Sequence, residues 1–304
     1  MAILIDPDTR VICQGMTGHA GRYHTQRMVA YGTNIVAGVT PGKGGTTALD
    51  LPVFNTVREA KAATGANASI VFVPPENAAH AMIEAIEAEL TLVVCVTERV
   101  PLLDTIRVRQ ALEGSQTRLV GPNSQGVLAP GIAQIGVMSS VSARRGNVGV
   151  ASRSASLTSE VVAQITAAGL GQSTTVGVGG DPIHGIDLKT CVELFLDDPD
   201  TDGIVLIGEI GGTEEEEVAE LVASVKPEKP ILALIVGRYA PHKKRMGHAG
   251  AFMTGSGGTV ESKIAALSAA GIRIAANASV VGDSIRQAIT ETSPSMVRSV
   301  GVSS

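Results

Sequence analysis

The chain has 304 residues, a formal net charge of −5 and 44% apolar residues, with no tryptophan and only 2% aromatic residues. This length exceeds what one hydrophobic core usually serves, so two domains are expected. The negative charge argues against a nucleic-acid-binding surface, which depends on clustered cations. Aliphatic side chains must form the core, as they do in parallel sheets that are buried on both faces.

The cysteines and the N-terminal segment indicate the cellular compartment. Cys13, Cys95 and Cys191 are widely spaced and odd in number, and two of them lie in apolar strand-like runs. This pattern predicts buried free thiols in a reducing compartment, with neither a disulfide framework nor a metal site. Residues 1–8 lack a basic leader region, and no apolar run is long enough to span a membrane. We therefore expect a cytoplasmic enzyme without a membrane partner.

Strand and helix signals alternate through the first half of the chain. Strands are predicted at residues 10–14, 35–39, 69–73, 92–96 and 119–120. Helices are predicted from the glycines after the first strand to about residue 31, and near residues 56–64, 76–88 and 103–113. This alternation predicts a doubly wound parallel sheet, whose ligand crevice lies at the carboxyl ends of its strands.

The second half has the same α/β pattern with different loops. Strands are predicted at residues 148–151, 174–178, 204–207, 231–236 and 272–275, and helices at 156–168, 214–225, 260–270 and 279–289. Thr213 and Glu216 have the spacing of a capping box, and we interpret the acidic run Glu214–Glu217 as structural support for a helix start. Little periodicity between residues 129 and 147 predicts domains at 1–129 and 130–291, followed by a frayed tail at 292–304.

One histidine stands among residues with very small side chains. His248 lies in the segment Arg245–Ala251, which follows Lys243 and Lys244 and precedes the glycine-rich residues 255–258. A neutral imidazole attacks phosphoryl groups readily, and glycine-rich loops and helix starts can hold the resulting negative charge. A surface glycine loop with an incidental histidine is the alternative on this segment alone.

The first glycine-rich loop also suits a phosphate. Gly15, Gly18 and Gly21 follow a strand and open a helix, so their N–H groups can cradle a diphosphate. Their spacing is not that of a dinucleotide fingerprint, and the next strand ends in Thr40–Lys43 without the acidic residue that holds a ribose. Lys43 would suit another phosphate, such as the 3′-phosphate of coenzyme A, or it is a solvated loop cation. The chain shows no loop for a nucleoside triphosphate.

Several long, collinear segments resemble a known family. They are Val11–Gly15, Gly38–Thr47, Leu51–Ala60, Gly179–Ile183, Gly208–Gly212 and Arg245–Ala251. Through them the chain resembles the alpha subunits of nucleotide-dependent succinate–CoA ligases, up to about residue 290. The resemblance implies an α/β fold with an N-terminal CoA-binding Rossmann-like domain and a C-terminal flavodoxin-like domain. An oxidoreductase that uses NAD and a noncatalytic CoA-binding module are the alternatives.

The resemblance also implies roles for individual residues. It implies that His248 is the phosphorylated nucleophile, that Glu209 holds its other ring nitrogen, and that Ser154 and Ala155 form a phosphate-holding helix start. The residues that it implies for CoA are Thr17, Gly18, His19, Ala20, Lys43, Val96, Thr97 and Glu98. A beta subunit of the ATP-grasp type, in an αβ or α2β2 assembly, would bind ATP or GTP with Mg²⁺. Phosphate would pass through His248 to the acid, and the CoA thiol would then displace it.

The chain departs from the family pattern where the organic acid should bind. Asn123 is followed by Ser124 and Gln125 in place of Cys-Pro, and Ser159 stands where the family has tyrosine. A smaller side chain and added hydrogen-bonding groups would suit a larger or more polar acid than succinate, such as malate or sulfoacetate. Ala155 replaces a glycine and would be strained if that position had positive φ.

Overall fold

The computed structural model describes residues 2–238, 240, 247–251 and 258–292. Its strands are β1 (Val11–Gln14), β2 (Ile35–Val39), β3 (Thr47–Ala48), β4 (Leu51–Phe54), β5 (Ala68–Val71), β6 (Leu92–Cys95), β7 (Arg118–Val120), β8 (Gly126–Ala129), β9 (Ala133–Gly136), β10 (Arg145–Ser152), β11 (Gln172–Gly177), β12 (Gly203–Glu209), β13 (Ile231–Val236) and β14 (Arg273–Ile274). Its α-helices are α1 (His19–Tyr31), α2 (Val57–Thr64), α3 (Pro75–Glu87), α4 (Leu102–Leu112), α5 (Ala155–Ala167), α6 (Leu188–Asp197), α7 (Glu214–Val225), α8 (Val260–Ala269) and α9 (Val281–Thr292).

The first sheet is doubly wound around β1. Its strand order is β3-β4-β2-β1-β5-β6-β7, and all pairs are parallel except β3 with β4. In the register, Cys13 of β1 lies opposite Gly38 of β2 and Ile70 of β5. The chain order reverses at β1, so a crevice forms above its carboxyl end. The predicted Rossmann-like arrangement is confirmed.

The second sheet has the strand order of a flavodoxin-like domain. Its order is β14-β13-β12-β10-β11-β8-β9, and β10 lies between β11 and β12 in parallel register. When the five parallel strands are numbered 1 to 5 in chain order, from β10 to β14, their order across the sheet is 2-1-3-4-5. The strand order therefore reverses between β10 and β12. The antiparallel strands β8 and β9 extend the sheet at the β11 edge.

The division between the sheets lies earlier in the chain than the predicted division after residue 129. β8 pairs with β11, placing Val127 opposite Val176, so the second sheet already begins at Gly126. The hairpin of β8 and β9 was not predicted because both strands are short and buried throughout, which leaves no alternation of apolar and polar residues. Within the hairpin, Gly126 of β8 lies very close to β9, since a Cβ there would be 2.0 Å from the Ile135 carbonyl oxygen.

Most predicted elements are present, and two local predictions need correction. Helix α6 was not predicted, although Asp187 caps it by accepting a hydrogen bond from the Thr190 N–H at 2.7 Å. The predicted capping box at α7 is wrong. Thr213 makes no side-chain cap and donates to Glu217 at 2.8 Å, while Glu216 pairs with the buried Lys263 at 3.0 Å. The ammonium group attracts the carboxylate away from the helix start.

The core consists of aliphatic side chains, as the composition predicted. Cys13, Cys95 and Cys191 are buried and free, and burial raises the pKa of Cys13 and Cys95 to about 12. These thiols are therefore protonated and unreactive. In the described ranges, no helix combines the length and the hydropathy that crossing a bilayer requires.

Candidate active site

A histidine and a glutamate meet where the strand order of the second sheet reverses. β12 ends at Glu209, and the neighbouring β10 ends at Ser152, directly before Arg153 and the N-cap of α5. The carboxyl ends of adjacent parallel strands meet at one edge of the sheet, so these residues converge although they are distant in sequence. His248, 39 residues after Glu209, reaches the same edge: its Nδ1 lies 2.8 Å from Glu209 Oε2.

The packing around His248 fixes its ring. The Gly250 N–H donates to the Gly180 carbonyl at 3.1 Å, and the Ala251 N–H donates to the His248 carbonyl at 3.2 Å. Gly180 lies directly against the imidazole, since a Cβ there would be 2.6 Å from His248 Cγ. The His248 side chain keeps 31% of its surface exposed. The ring is thus clamped on one side and open on the other.

The hydrogen bond to Glu209 determines the state of the imidazole. It raises the pKa of His248 against the opposing effect of burial. A carboxylate only accepts hydrogen bonds, so Nδ1 carries the hydrogen and the neutral ring keeps its lone pair on Nε2. No partner for Nε2 is present among the described residues. This arrangement suits a nucleophile that gains positive character during attack.

A cavity of about 170 Å³ lies beside the His248 ring, and residues that follow strands of both sheets line it. Its lining residues are Val96, Glu98, Asn123, Ser124, Gln125, Val137, Ser152, Arg153, Ala155, Gly177, Gly179, Gly247 and His248. Val96 and Glu98 follow β6 of the first sheet, whereas Ala155 begins α5 of the second. Residues predicted for CoA, for the acid and for phosphate thus surround the histidine, although their roles stay predictions.

The start of α5, where Ser154 and Ala155 lie, borders the 170 Å³ cavity through Ala155. Ser154 caps the helix, its Oγ accepting a hydrogen bond from the Leu157 N–H at 3.4 Å. The first N–H groups of a helix lack intrahelical partners and carry partial positive charge. Ala155 is not among the residues with positive φ, so replacing glycine there causes no backbone strain.

The residues predicted for the acid differ in what they offer. The Ser124 hydroxyl donates its one hydrogen to the Gly177 carbonyl and accepts from the Gly126 N–H at 2.8 Å, so it has no donor left for an acid carboxylate. Gln125 Nε2 donates to Thr158 at 2.7 Å. Ser159 does not line the cavity among the described residues.

A second cavity of about 540 Å³ lies above β1 in the first sheet. Thr17 and Gly18 line it, and the Thr17 hydroxyl donates to Thr40 at 3.2 Å. His19 and Ala20 are exposed in the first turn of α1. Thr97 turns inward and donates to the Val73 carbonyl at 2.8 Å.

Lys43 is exposed and does not line the second cavity. Its loop is nevertheless ordered, because Asn55 Oδ1 accepts hydrogen bonds from the N–H groups of Gly42 and Gly44, both at 2.9 Å. The lysine is thus held at the edge of the crevice with its ammonium group in solvent.

Sequence reasoning missed a chain of buried charges behind His248. Arg153 Nε lies 3.3 Å from Glu209 Oε1, and Arg153 Nη1 lies 3.0 Å from Glu214 Oε1. His184 Nε2 lies 3.1 Å from the same Glu214 oxygen. Glu214 had been interpreted as a structural member of an acidic run, and no local signal separates it from the three glutamates that follow.

These contacts set the charges of the two groups farthest from the ring. Burial alone would raise the pKa of Glu214, but the hydrogen bond from His184 and the charges of His184 and Arg153 lower it to about 2. Burial alone would lower the pKa of His184, but Glu214 outweighs it and the pKa is raised. The raised pKa of His184 and the lowered pKa of Glu214 thus both favour the ionised forms of this pair.

Parts of the predicted active-site loop lie outside the described residues. These parts are Pro241–Met246, with the predicted cations Lys243, Lys244 and Arg245, and Phe252–Gly257. Residues 293–304 of the predicted tail also lie outside them.

The fold and the site define a class of CoA ligases. A family model described as a CoA binding domain matches residues 6–99, and one described as CoA-ligase matches residues 151–273. The first match covers β1 to β6 and the residues that line the 540 Å³ cavity, and the second covers β11 to β13 together with Glu209 and His248.

Relatives identify the family. The chain is 47% identical over 291 residues to the succinate–CoA ligase (ADP-forming) subunit alpha of Staphylococcus aureus strain N315, covering 96% of each chain. It is 48% identical over 287 residues to the subunit of the same name from Aquifex aeolicus strain VF5, covering 94% of each. The chain belongs to the family of succinate–CoA ligase alpha subunits.

Solved structures share the fold at low identity. ATP citrate lyase from Methanothrix soehngenii, in complex with citrate and coenzyme A, matches with a TM-score of 0.89 and 23% identity over 99% of this chain. The apo dinucleotide-forming acetyl-coenzyme A synthetase 1 from Ca. Korarchaeum cryptofilum matches with a TM-score of 0.71 and 18% identity over 94% of this chain. This chain spans 53% and 60% of those longer chains.

Proposed function

We propose that this chain is the CoA-binding, phosphohistidine-carrying alpha subunit of an ADP-forming succinate–CoA ligase. The observation that carries the proposal is the pair of His248 and Glu209, 2.8 Å apart, at a cavity shared with the start of α5. This pair fixes one ring nitrogen and leaves the other available. The adjacent helix start offers N–H groups to a phosphoryl group.

The geometry supports a three-step reaction. Nε2 of His248 attacks the γ-phosphoryl group of ATP bound by the partner and displaces ADP, while Glu209 stabilises the imidazole as it becomes positive. A carboxylate of the acid then attacks the phosphorus, which regenerates the histidine and gives an acyl phosphate. The CoA thiolate attacks the acyl carbon and displaces inorganic phosphate. Ser154 and Ala155 are proposed to hold the phosphoryl group before and after transfer.

The proposed path of CoA connects the two cavities. Thr17, Gly18, His19 and Ala20 would hold the diphosphate at the start of α1. Lys43 would pair with the 3′-phosphate at the edge of the crevice. Val96, Thr97 and Glu98 would guide the thiol end towards His248, because Val96 and Glu98 also line the 170 Å³ cavity.

Succinate is the proposed acid. The case for a larger acid rested on added polar groups, but the Ser124 hydroxyl and the Gln125 amide nitrogen already bond within the protein. Ser159 does not line the described part of the cavity, so its small size does not enlarge that part. Asn123 Nδ2 donates to Asp181 at 2.9 Å, so this hydrogen bond is not available to the acid.

The proposed partner is a beta subunit of the ATP-grasp type that binds ATP with Mg²⁺. The relatives' names specify an alpha subunit and formation of ADP. The αβ and α2β2 assemblies both fit the proposal. The reducing cytoplasm predicted from the three free, buried thiols is the proposed compartment.

Labelling tests the phosphohistidine. The chain is incubated with an ADP-forming succinate–CoA ligase beta subunit and ATP labelled at the γ-phosphate. The expected product is an acid-labile phosphoprotein, lost in His248→Asn and retained in His80→Asn, whose histidine is exposed on another helix. Label that persists without His248 would refute the role of this residue. Binding of CoA with no labelling at all would support the noncatalytic module.

An acid panel tests the substrate separately. Thioester formation is measured with succinate, malate and sulfoacetate at matched concentrations. Succinate is expected to give the highest kcat/KM. A higher value for malate or sulfoacetate would overturn the choice of acid while leaving the phosphohistidine in place.

A further inference from the structure

Arg153 contacts Glu209, and the proposed reaction gives Arg153 no role. The Arg153 side chain is only 3% exposed, and that of Glu209 is 7% exposed. Glu209 Oε2 bonds to His248, while Glu209 Oε1 lies 3.3 Å from Arg153 Nε. Neither Oε1 nor Nε has a hydrogen-bond partner in the described part of the chain. Each is therefore the nearest charged neighbour available to the other.

Arg153 is itself held from the opposite side. Its Nη1 pairs with Glu214 at 3.0 Å, and Glu214 also accepts from the Leu188 N–H at 3.1 Å. Its Nη2 lies against the histidine loop, because a Cβ on Gly250 would be 2.6 Å from that nitrogen. The guanidinium thus contacts both the Glu209 carboxylate, which holds the His248 ring, and the loop that contains His248.

We propose that Arg153 is a positioning residue for the phosphoryl acceptor: it holds the Glu209 carboxylate against His248 and offsets the charge of that carboxylate. This inference rests on the proposed function of His248. A buried carboxylate with no cation beside it would favour a protonated imidazole, which cannot attack phosphorus. A neighbouring cation opposes that bias, so Glu209 can orient the ring with less tendency to protonate it.

The surroundings of the ring support this division of roles. Glu209 on β12 and Asp181 after β11 favour protonation of His248, whereas Arg153 after β10 opposes it. Glu98 lines the opposite side of the cavity, and Glu214 and His184 lie behind Arg153. Arg153 is the cation closest to Glu209 in the described ranges, so it is the group whose removal changes the balance most.

The test is a titration of His248 in the full-length chain by ¹⁵N NMR of the imidazole. The His248 signal is assigned by its loss in His248→Asn. Arg153→Met and Arg153→Gln remove the charge, and the second keeps an amide donor. Arg153→Lys keeps the charge. Arg107→Met is the control, because Arg107 is 67% exposed and pairs with Asp104 on α4.

The expected result is a titration midpoint at higher pH in both neutral variants, since loss of a nearby cation favours the protonated ring. Arg153→Lys should stay near the parent and Arg107→Met should match it. With a beta subunit and labelled ATP at neutral pH, phosphorylation of Arg153→Met should fall about tenfold, and the deficit should shrink as the pH rises.

An unchanged or lower midpoint in the folded neutral variants would overturn the proposal. Loss of the fold in both neutral variants would also overturn it, because Arg153 would then be required only for stability. The titration needs no phosphoryl transfer. Failure of the parent chain to become labelled would therefore refute the proposed function without deciding the titration.

Discussion

The two ligand crevices have the same topology and different chemistry. Each lies above the point where a parallel sheet reverses its strand order, at β1 in the first sheet and between β10 and β12 in the second. The first opens into a cavity of about 540 Å³ lined mainly by apolar and uncharged polar residues, with His80 and Glu84 as its titratable members. The second opens into about 170 Å³ and is backed by a chain of buried charges. Topology supplies the location, and side chains at the strand ends supply the chemistry.

The two crevices differ in buried charge, which suits the first to binding and the second to reaction. Burying Arg153, Glu209, Glu214 and His184 costs solvation free energy, and their mutual contacts offset that cost. Such clusters are found where a protein must control protonation states. The first crevice would hold the charges of CoA through N–H dipoles at the start of α1 and the exposed cation Lys43. Substitutions at the second crevice should therefore alter phosphoryl transfer and leave CoA affinity unchanged.

Glu209→Gln should give the largest effect. Glutamine can still accept the Nδ1 hydrogen, but it lacks the charge that stabilises the imidazole as it becomes positive. Phosphorylation of His248 should fall roughly 10²- to 10³-fold, as expected when a charged catalytic partner is lost. CoA affinity, measured by calorimetry, should stay within about twofold of the parent if the two crevices are independent. A parallel loss of CoA affinity would break the comparison.

Gly180→Ala should come next, because its Cβ would lie 2.6 Å from His248 Cγ and displace the ring. Displacement of a reacting group by about 1 Å can cost on the order of 10²-fold in rate. Gly247→Ala is the matched control, since a Cβ there meets nothing within 4 Å. Equal labelling rates in the two variants would show that contact with Gly180 does not position the ring.

Lys43→Ala addresses the first crevice. Loss of one charged contact to the 3′-phosphate should weaken binding of CoA about tenfold. Binding of 3′-dephospho-CoA should be unaffected, and His248 should still be phosphorylated at the parent rate. An equal loss for both ligands would indicate that Lys43 does not contact the 3′-phosphate.

Glu214→Gln should change phosphoryl transfer least, and its loss of stability should be full above pH 4.5 and fade in acid. The pKa of Glu214 falls from 4.5 to about 2 in the folded chain. Its stabilising contribution is present above pH 4.5 and disappears as the pH falls towards 2, because the unfolded chain binds the proton first. The free energy of unfolding, from denaturant titrations, should depend less on pH in this window. Glu217→Gln, at an exposed position on α7, should keep the parent dependence.

The sequence was most informative about local structure. Alternating apolar and helical periods predicted each parallel strand of the described residues except β4, and helices such as α7, whose predicted bounds match the observed ones. It was least informative in β8 and β9, which are short and fully buried and so carry no periodic contrast. Helix α6 does carry a helical period, since Leu188, Cys191, Val192 and Phe195 are buried, and that period was overlooked.

By itself, the sequence determined two α/β domains, a glycine-rich crevice in each, and the pairing of His248 with Glu209 through resemblance to a family. The tertiary structure decided which distant groups meet. It placed Val96 of the first sheet at the cavity of His248, and it joined Arg153 to Glu214, 61 residues later. The reason is physical: local propensities depend on neighbours along the chain, whereas the contacts that set charge and access form only when the sheets pack.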